Sequence, residues 1–282
     1  MIAAIVSLGA IGLVAAMTLG VASKKFAVEI DPREQEILES LSGANCGACG
    51  YPGCAAYAKA VAKGDAPPNL CTPGGQATLE KVSKIMGVAA VSTEPKVAVV
   101  CCQGDNQKAR EKYRYLGFKD CVAAQKIAGG PKECPAGCLG LGTCVRACPF
   151  DAIEITTHGL AVINREKCTG CGKCVSVCPR HVIRLVPKKA TVHVLCNSHD
   201  KGAVVRKYCE VGCIGCQLCK KTAPEAYKIE NFLAEVVYEH YDKAAPAIEK
   251  CPTKCIRDFS EGYPEGSSFA PPGVSEGRRA SA

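Results

Sequence analysis

The 282-residue chain holds 28 Gly, 22 Cys and 17 Pro, with no Trp and only 5% aromatic residues. That is poor material for one large apolar core and good material for small modules stapled by something else. The formal charge of +8 is spread thinly, with no Lys/Arg run interleaved with aromatics, which speaks against a nucleic-acid partner. The thiols fall in tight C-x2-C sets on a long chain, so metal ligation in a reducing compartment explains them better than a secreted disulfide scaffold.

Residues Met1 to Ala22 carry no charged side chain. As a helix they span roughly 33 Å, enough for a hydrocarbon core of about 30 Å. Lys24 and Lys25 follow the apolar run instead of preceding it, unlike a cleaved signal peptide, and they hold that end in the cytoplasm. Residues 1–23 are therefore expected to be a transmembrane anchor. In "IDPREQEILESL", Asp31 is a helix N-cap, Pro32 fits the first turn, and Ile37, Leu38 and Leu41 share a face.

A first cysteine module is expected over 29–90. Its ligand set is Cys46, Cys49, Cys54 and Cys71, with glycines 47, 50 and 53 letting the backbone wrap closely. Zinc is open on this spacing alone; the company of the later sets favours a [4Fe–4S] cluster. "AAYAKAVAKG" (Ala55 to Gly64) reads as a short helix ended by glycine. Val88 to Pro95 reads as a linker, and the Val-rich "KVAVV" as a buried strand opening a linker of strand and helix over 96–130.

An internal repeat follows. "VAVVCCQGD" is echoed by "VHVLCNSHD", aligning Cys101 with Cys196. "KECPAGCLGLGTC" is echoed by "KYCEVGCIGCQLC", aligning Cys134 with Cys209, Cys138 with Cys213 and Cys144 with Cys219.

Residues 131–187 carry the strongest signal. Cys168, Cys171, Cys174 and Cys178-Pro179 have the spacing in which three thiolates hold one [4Fe–4S] cluster and the fourth reaches its neighbour. Zinc has no use for that run. Upstream, Cys138, Cys144 and Cys148-Pro149 match it, but Leu141 stands where the middle cysteine belongs and Cys134 is the nearest substitute. The crossed arrangement assigns one cluster to Cys134, Cys138, Cys144 and Cys178, and the other to Cys148, Cys168, Cys171 and Cys174. Between them "DAIEITTHGLAVI" reads as two strands around a Gly-containing turn.

In residues 190–258 the run is altered. Cys213, Cys216 and Cys219 persist, but Ala223 replaces the fourth cysteine, and Tyr241, Ala244 and Ala247 stand where a second set would begin before Cys251-Pro252. Both departures remove the same cluster, leaving a single site of Cys213, Cys216, Cys219 and Cys251. Cys101, Cys102, Cys121, Cys196, Cys209 and Cys255 are left over, either packing or enlisted in a further cluster. "GCLGLG" lacks the frame of a dinucleotide loop. The tail over 259–282 is low-complexity and expected to be disordered.

The fold class is thus α+β: an N-terminal transmembrane helix, a 4Fe–4S domain and ferredoxin-like βαβ-type units, with about four [4Fe–4S] clusters. An apolar anchor, then "GANCGACGYPGC", then "GGPKECPAGCLGLGTCVRACPFDAI", closely resembles the B subunits of the Rnf (also called Rsx) electron-transport complex. The resemblance implies a translocase subunit at the cytoplasmic face of the inner membrane, with no substrate pocket of its own. It implies that electrons come from soluble ferredoxin and pass by way of the other Rnf subunits to NAD+, driving Na+ or H+ transport. Lysines 188, 189, 201, 207, 220 and 221 flank the last modules and offer an acidic ferredoxin a surface. A membrane-tethered polyferredoxin serving another reductase or hydrogenase is the alternative; a cluster-based redox sensor is a third reading, for which no output module is visible.

Overall fold

The computed structural model describes residues 2–25, 31–92, 94–263 and 266–269, without the side chains of residues 2–8, 24 and 261. Helix α1 (Ile2–Lys25) carries no acidic residue in its first turn. It leaves Ile11, Leu13, Val14, Met17, Leu19 and Val21 exposed. Among the described residues no helix is long and apolar enough to cross a membrane.

The first module is helical. Asp31 caps α2 (Pro32–Ser40) by accepting from Arg33 N–H, as its position before Pro32 predicts. Helix α3 (Cys54–Lys63) stops at left-handed Gly64, and α4 (Gly75–Met86) follows. Helix α2 packs on both, burying Ile37, Leu41, Tyr57, Ala58, Val61 and Val82, with Cys49, Cys54 and Cys71 against the same core. The Tyr57 hydroxyl ties the long loop before Cys71 to α3, donating to Pro67 O (2.7 Å) and accepting from Leu70 N–H (3.1 Å).

The rest of the molecule is one unit built twice. In the first copy, β1 (Lys96–Val100) is followed by α5 (Cys121–Lys126) and α6 (Thr143–Ala147). The hairpin strands β2 (Ile153–Ile155) and β3 (Ala161–Ile163), then α7 (Lys173–Ser176) and β4 (Ile183–Pro187), complete it. In the second copy β5 (Val192–Val194), α8 (Gly202–Tyr208) and α9 (Leu218–Thr222) come first. The hairpin β6 (Tyr227–Glu230) and β7 (Leu233–Val236), α10 (Ala247–Lys250) and β8 (Ile256–Asp258) finish it. Each copy closes its first strand on its last, β1 on β4 and β5 on β8, and pairs the two hairpin strands between.

Two expectations change here. Every strand pair is antiparallel, so these units are not of the parallel βαβ kind: a hairpin joins each inner pair, and the outer strands run in opposite directions. Residues 96–130, expected as a linker with a strand and a helix, hold β1 and α5, and β1 supplies half of the outer sheet of the first copy. The register also moves the repeat by one residue. Val100 pairs with Ile183 and Val194 with Ile256, each five residues past its Cys-Pro cysteine, so Cys102, not Cys101, is the structural counterpart of Cys196.

The start of the expected disordered tail is packed. Phe259 is buried with Val97, Val99, Val186 and Leu195, Tyr263 accepts from Arg165 N–H at 3.1 Å, and the Ser268 amide donates to Glu154 at 2.6 Å. The remainder of that expectation, residues 270–282, lies outside the described residues. The two copies are joined by buried Arg165, which donates to Lys188 O and Ala190 O (both 2.7 Å), and by the Arg184–Glu235 ion pair between β4 and β7 (2.7 Å).

Candidate iron–sulfur centres

Short helices and tight loops gather the cysteines into rings. Cys148, Cys168, Cys171 and Cys174 line one space of ≈ 310 Å³ beside Phe150 and Ile153. Cys168 Sγ accepts from the β1 amide of Ala98 at 3.3 Å. Burial pushes the Cys174 thiol up to about 12 and raises Cys171, with Cys46, Cys148 and Cys168 adding to it. Cys46 of the first module therefore lies within electrostatic reach of this ring.

Cys138, Cys144 and Cys178 line a second space of ≈ 340 Å³, and the fourth cysteine there is Cys121, at the start of α5. Burial pushes Cys138 up to about 11. It raises Cys144 as well, with Cys138, Cys121, Cys178 and Cys174 adding to the effect. Asp120, the N-cap of α5, holds Cys121 in place: it accepts from Ala123 N–H (2.8 Å), the Thr143 hydroxyl (3.0 Å) and Arg146 (2.7 Å). The Thr143 hydroxyl in turn accepts from the Cys121 amide at 2.7 Å. Cys134 is not in this ring. It packs with Val205, Tyr208 and Cys209 of the second copy. Sequence spacing favoured Cys134 because it is nearby in the chain; Cys121 is 17 residues upstream of Cys138, and only the fold brings it round.

In the second copy Cys213, Cys216, Cys219 and Cys251 line a space of ≈ 330 Å³, together with Cys255. Cys255 is only 2% exposed, and its Sγ is 3.6 Å from Cys251 Sγ. Its thiol hydrogen-bonds Cys213 and Cys251. That contact is the main reason Cys213 falls to about 6 and Cys251 to about 5, while Cys255 as donor is driven up. The other half of this unit has no ring. Tyr227, at the position that Ala152 holds in the first copy, fills the interior there, 1% exposed, donating to Ala244 O at 2.8 Å among Ala223, Ala244 and Ala247.

In the first module Cys49 and Cys71 flank Tyr57, whose hydroxyl burial drives up to about 12 with the two thiols adding to it. The Cys54 amide donates to Asn45 Oδ1 at 2.8 Å, fixing the loop that carries Cys46 and Cys49.

The donor sets fit cubane clusters. A cubane offers four separate irons to four thiolates and needs no convergence on one atom. Among the described residues no three of His, Cys, Asp and Glu converge on a single metal ion. Buried thiols with raised pKa lose their protons on ligation, so loading releases protons and weakens in acid.

Rings of this kind, on paired antiparallel units, define an iron–sulfur electron carrier with several [4Fe–4S] clusters. Family profiles agree: "Putative Fe-S cluster" matches residues 41–73, "4Fe-4S dicluster domain" 134–185, and "4Fe-4S single cluster domain of Ferredoxin I" 210–258. The chain is 45% identical over 256 residues to the B subunit of the proton-translocating ferredoxin:NAD(+) oxidoreductase complex of Clostridium ljungdahlii, covering 89% of this chain and 90% of that one. It is 39% identical to the B subunit of the ion-translocating oxidoreductase complex of Methanosarcina acetivorans (91% and 97% covered). With the B subunit of the Na(+)-translocating ferredoxin:NAD(+) oxidoreductase complex of Acetobacterium woodii the figure is 42% (88% and 75%). This chain belongs to the B-subunit family of ion-translocating Rnf oxidoreductase complexes, as an iron–sulfur electron-transfer subunit.

Proposed function

We propose that the protein accepts electrons from soluble reduced ferredoxin and relays them, through the other subunits, toward NAD+ reduction coupled to Na+ or H+ movement. The names of the Clostridium and Acetobacterium relatives support this reading. The single observation that carries it is the gathering of matched cysteine rings inside a paired ferredoxin-type unit.

The ligand sets proposed are Cys46, Cys49, Cys54 and Cys71; Cys148, Cys168, Cys171 and Cys174; Cys121, Cys138, Cys144 and Cys178; and Cys213, Cys216, Cys219 and Cys251. Cys134 leaves the set that spacing assigned to it. The N-terminal segment 1–23, whose first eight side chains lie outside the described ones, serves as a single-pass anchor in the cytoplasmic membrane, with the body on the cytoplasmic side. The uncharged run to Ala22 and the lysines after it support that placement.

A bound [4Fe–4S] cluster supplies a one-electron store. The protein's part is to hold and tune it. Cysteines on short helices fix the thiolates, the Ala98 amide donates to Cys168 Sγ, and apolar side chains keep water away. Amide and thiol donors to sulfur favour the more negative, reduced state and raise the potential.

The test is direct. Anaerobically purified protein mixed with reduced ferredoxin should lose visible absorbance while the ferredoxin is reoxidised, more slowly as salt is raised. Protein that carries its clusters yet takes no electrons from ferredoxin would overturn the assignment of the donor.

A further inference from the structure

Four cysteines outside the rings belong together: Cys102 and Cys134 from the first copy, Cys196 and Cys209 from the second. The corrected register makes Cys102 the counterpart of Cys196, and the sequence repeat makes Cys134 the counterpart of Cys209. Each copy thus contributes an equivalent pair to the seam between them.

The backbone there is drawn in around sulfur. A Cβ on Gly104 would sit 3.3 Å from Cys209 Sγ and 3.8 Å from Cys102 Sγ; one on Gly137 would sit 3.3 Å from Cys134 Sγ. The segment after Cys102 is laced to the approaches of both Cys134 and Cys209. Arg110 N–H donates to Tyr208 O (2.8 Å), Glu133 N–H to Arg110 O (2.9 Å), and Ala109 bridges Cys209. Cys134 and Cys209 share a buried cluster with Val205 and Tyr208. Cys102 lies within electrostatic reach of Cys134, Cys209 and Cys196.

A second observation is independent of the thiols. Lys132 is 1% exposed and Arg180 6%, yet among the described residues neither has a carboxylate partner. The Lys132 amine donates to Gly104 O at 2.6 Å. Arg180 donates to Cys134 O at 3.0 Å and to Gly129 O, and its buried Nε has no partner. Burying two cations against neutral carbonyls is costly unless negative charge lies nearby. A cluster with four thiolates carries about −2; one at the seam would supply it to both, and Arg180 also lines the ring of Cys138, Cys144 and Cys178.

We propose that Cys102, Cys134, Cys196 and Cys209 bind a further iron–sulfur cluster at the seam between the two copies, with Lys132 and Arg180 as its buried counter-charges. Its place makes it a stepping stone. Cys102 Sγ accepts from the amide of Cys138, a member of one ring, at 3.4 Å, and Cys196 accepts from the amide of Cys213, a member of the next. Held by these four thiolates, a cluster would supply a one-electron store between the ring of Cys138 and that of Cys213, with no bond made or broken. Assembly takes four thiols to thiolates and releases their protons.

This inference rests on the cluster-relay reading, and its test separates the two. Iron and acid-labile sulfide are measured on the anaerobically purified full chain, and native mass spectrometry counts whole clusters without any substitution. About five clusters, or about 20 irons, are expected. The double variant Cys134→Ser/Cys209→Ser should lose about four irons and keep the reduced-state EPR signals of the rest. Cys101→Ser, which alters a buried neighbour outside the set, should lose none. A wild-type count of about 16 irons that the double variant retains would overturn the seam cluster and leave the relay standing. Loss of most of the iron in the double variant would overturn it too, making these cysteines scaffold. Iron near zero in the wild type would overturn the relay reading itself.

Discussion

Tyr227 stands where the first copy has Ala152, and its ring fills the interior that the alanines 223, 244 and 247 leave. Shrinking it to Tyr227→Ala should destabilise the second copy by about 3–5 kcal/mol, seen as a lower chemical-denaturation midpoint. Gln217 is a departure of another kind. It holds φ +64° at the start of α9, where the first copy has Gly142 and Gly172 at φ +80° and +77°. Gln217→Gly should therefore relieve strain and stabilise by about 0.5–1 kcal/mol, by the same measurement. His193 is fully buried, its Nε2 accepting from Arg165 (3.1 Å) and its Nδ1–H donating to Tyr238 (3.0 Å). Burial, with Arg165 beside it, holds its pKa at about 3. The unfolded chain takes up this proton near pH 6.5 and the folded chain only near pH 3, so stability is unaffected above about 6.5 and falls as pH drops through that window. Relative to His193→Gln, the wild type should lose about 2 kcal/mol between pH 7 and pH 5. Equal losses in both proteins would show that His193 is not the group responsible.

Cys255 gains a role among the elements that its sequence position did not suggest. It is the counterpart of Val182, four residues past the Cys-Pro cysteine, and stands just before strand β8 against the ring of Cys213 and Cys251. Its thiol donates to ligand sulfur, so Cys255→Val should keep the iron and make that cluster's potential more negative in a redox titration. Cys251→Ser should lose about four irons; equal iron loss from Cys255→Ser would show that the two share ligation. Cys121→Ser should likewise cost about one cluster at the ring of Cys138, Cys144 and Cys178. These cases mark what the sequence could and could not reveal. Cysteines two to four residues apart line one space because the local loop alone sets their separation, and so the grouping of the short-spaced sets, the hairpins and the capped α2 are legible. Cys121 and Cys102 meet their partners only through the pairing of β1 with β4 and the capping of α5 by Asp120. Those long-range contacts leave no trace in spacing. The repeat in sequence is one residue out for a related reason: identities favour Cys101 opposite Cys196, and only strand register shows that Cys102 is the counterpart.

Across the whole molecule, thiols of neighbouring sets act on one another electrostatically. Cys46 lies within electrostatic reach of Cys171, Cys174 of Cys144, and Cys102 of both Cys138 and Cys196. That order suits a wire from one end of the protein to the other, with α1 proposed as its tether at the membrane. Deleting residues 1–22 should release a soluble protein that keeps its clusters, checked by sedimentation and visible absorbance. The relay depends on what the thiols hold. Metal analysis of the anaerobically purified full chain is the most direct measurement. The account predicts a brown protein with about 16 irons from the four proposed ligand sets, about 20 with the seam site filled, sulfide in equal amount and little zinc. Stoichiometric zinc with iron near zero would contradict it.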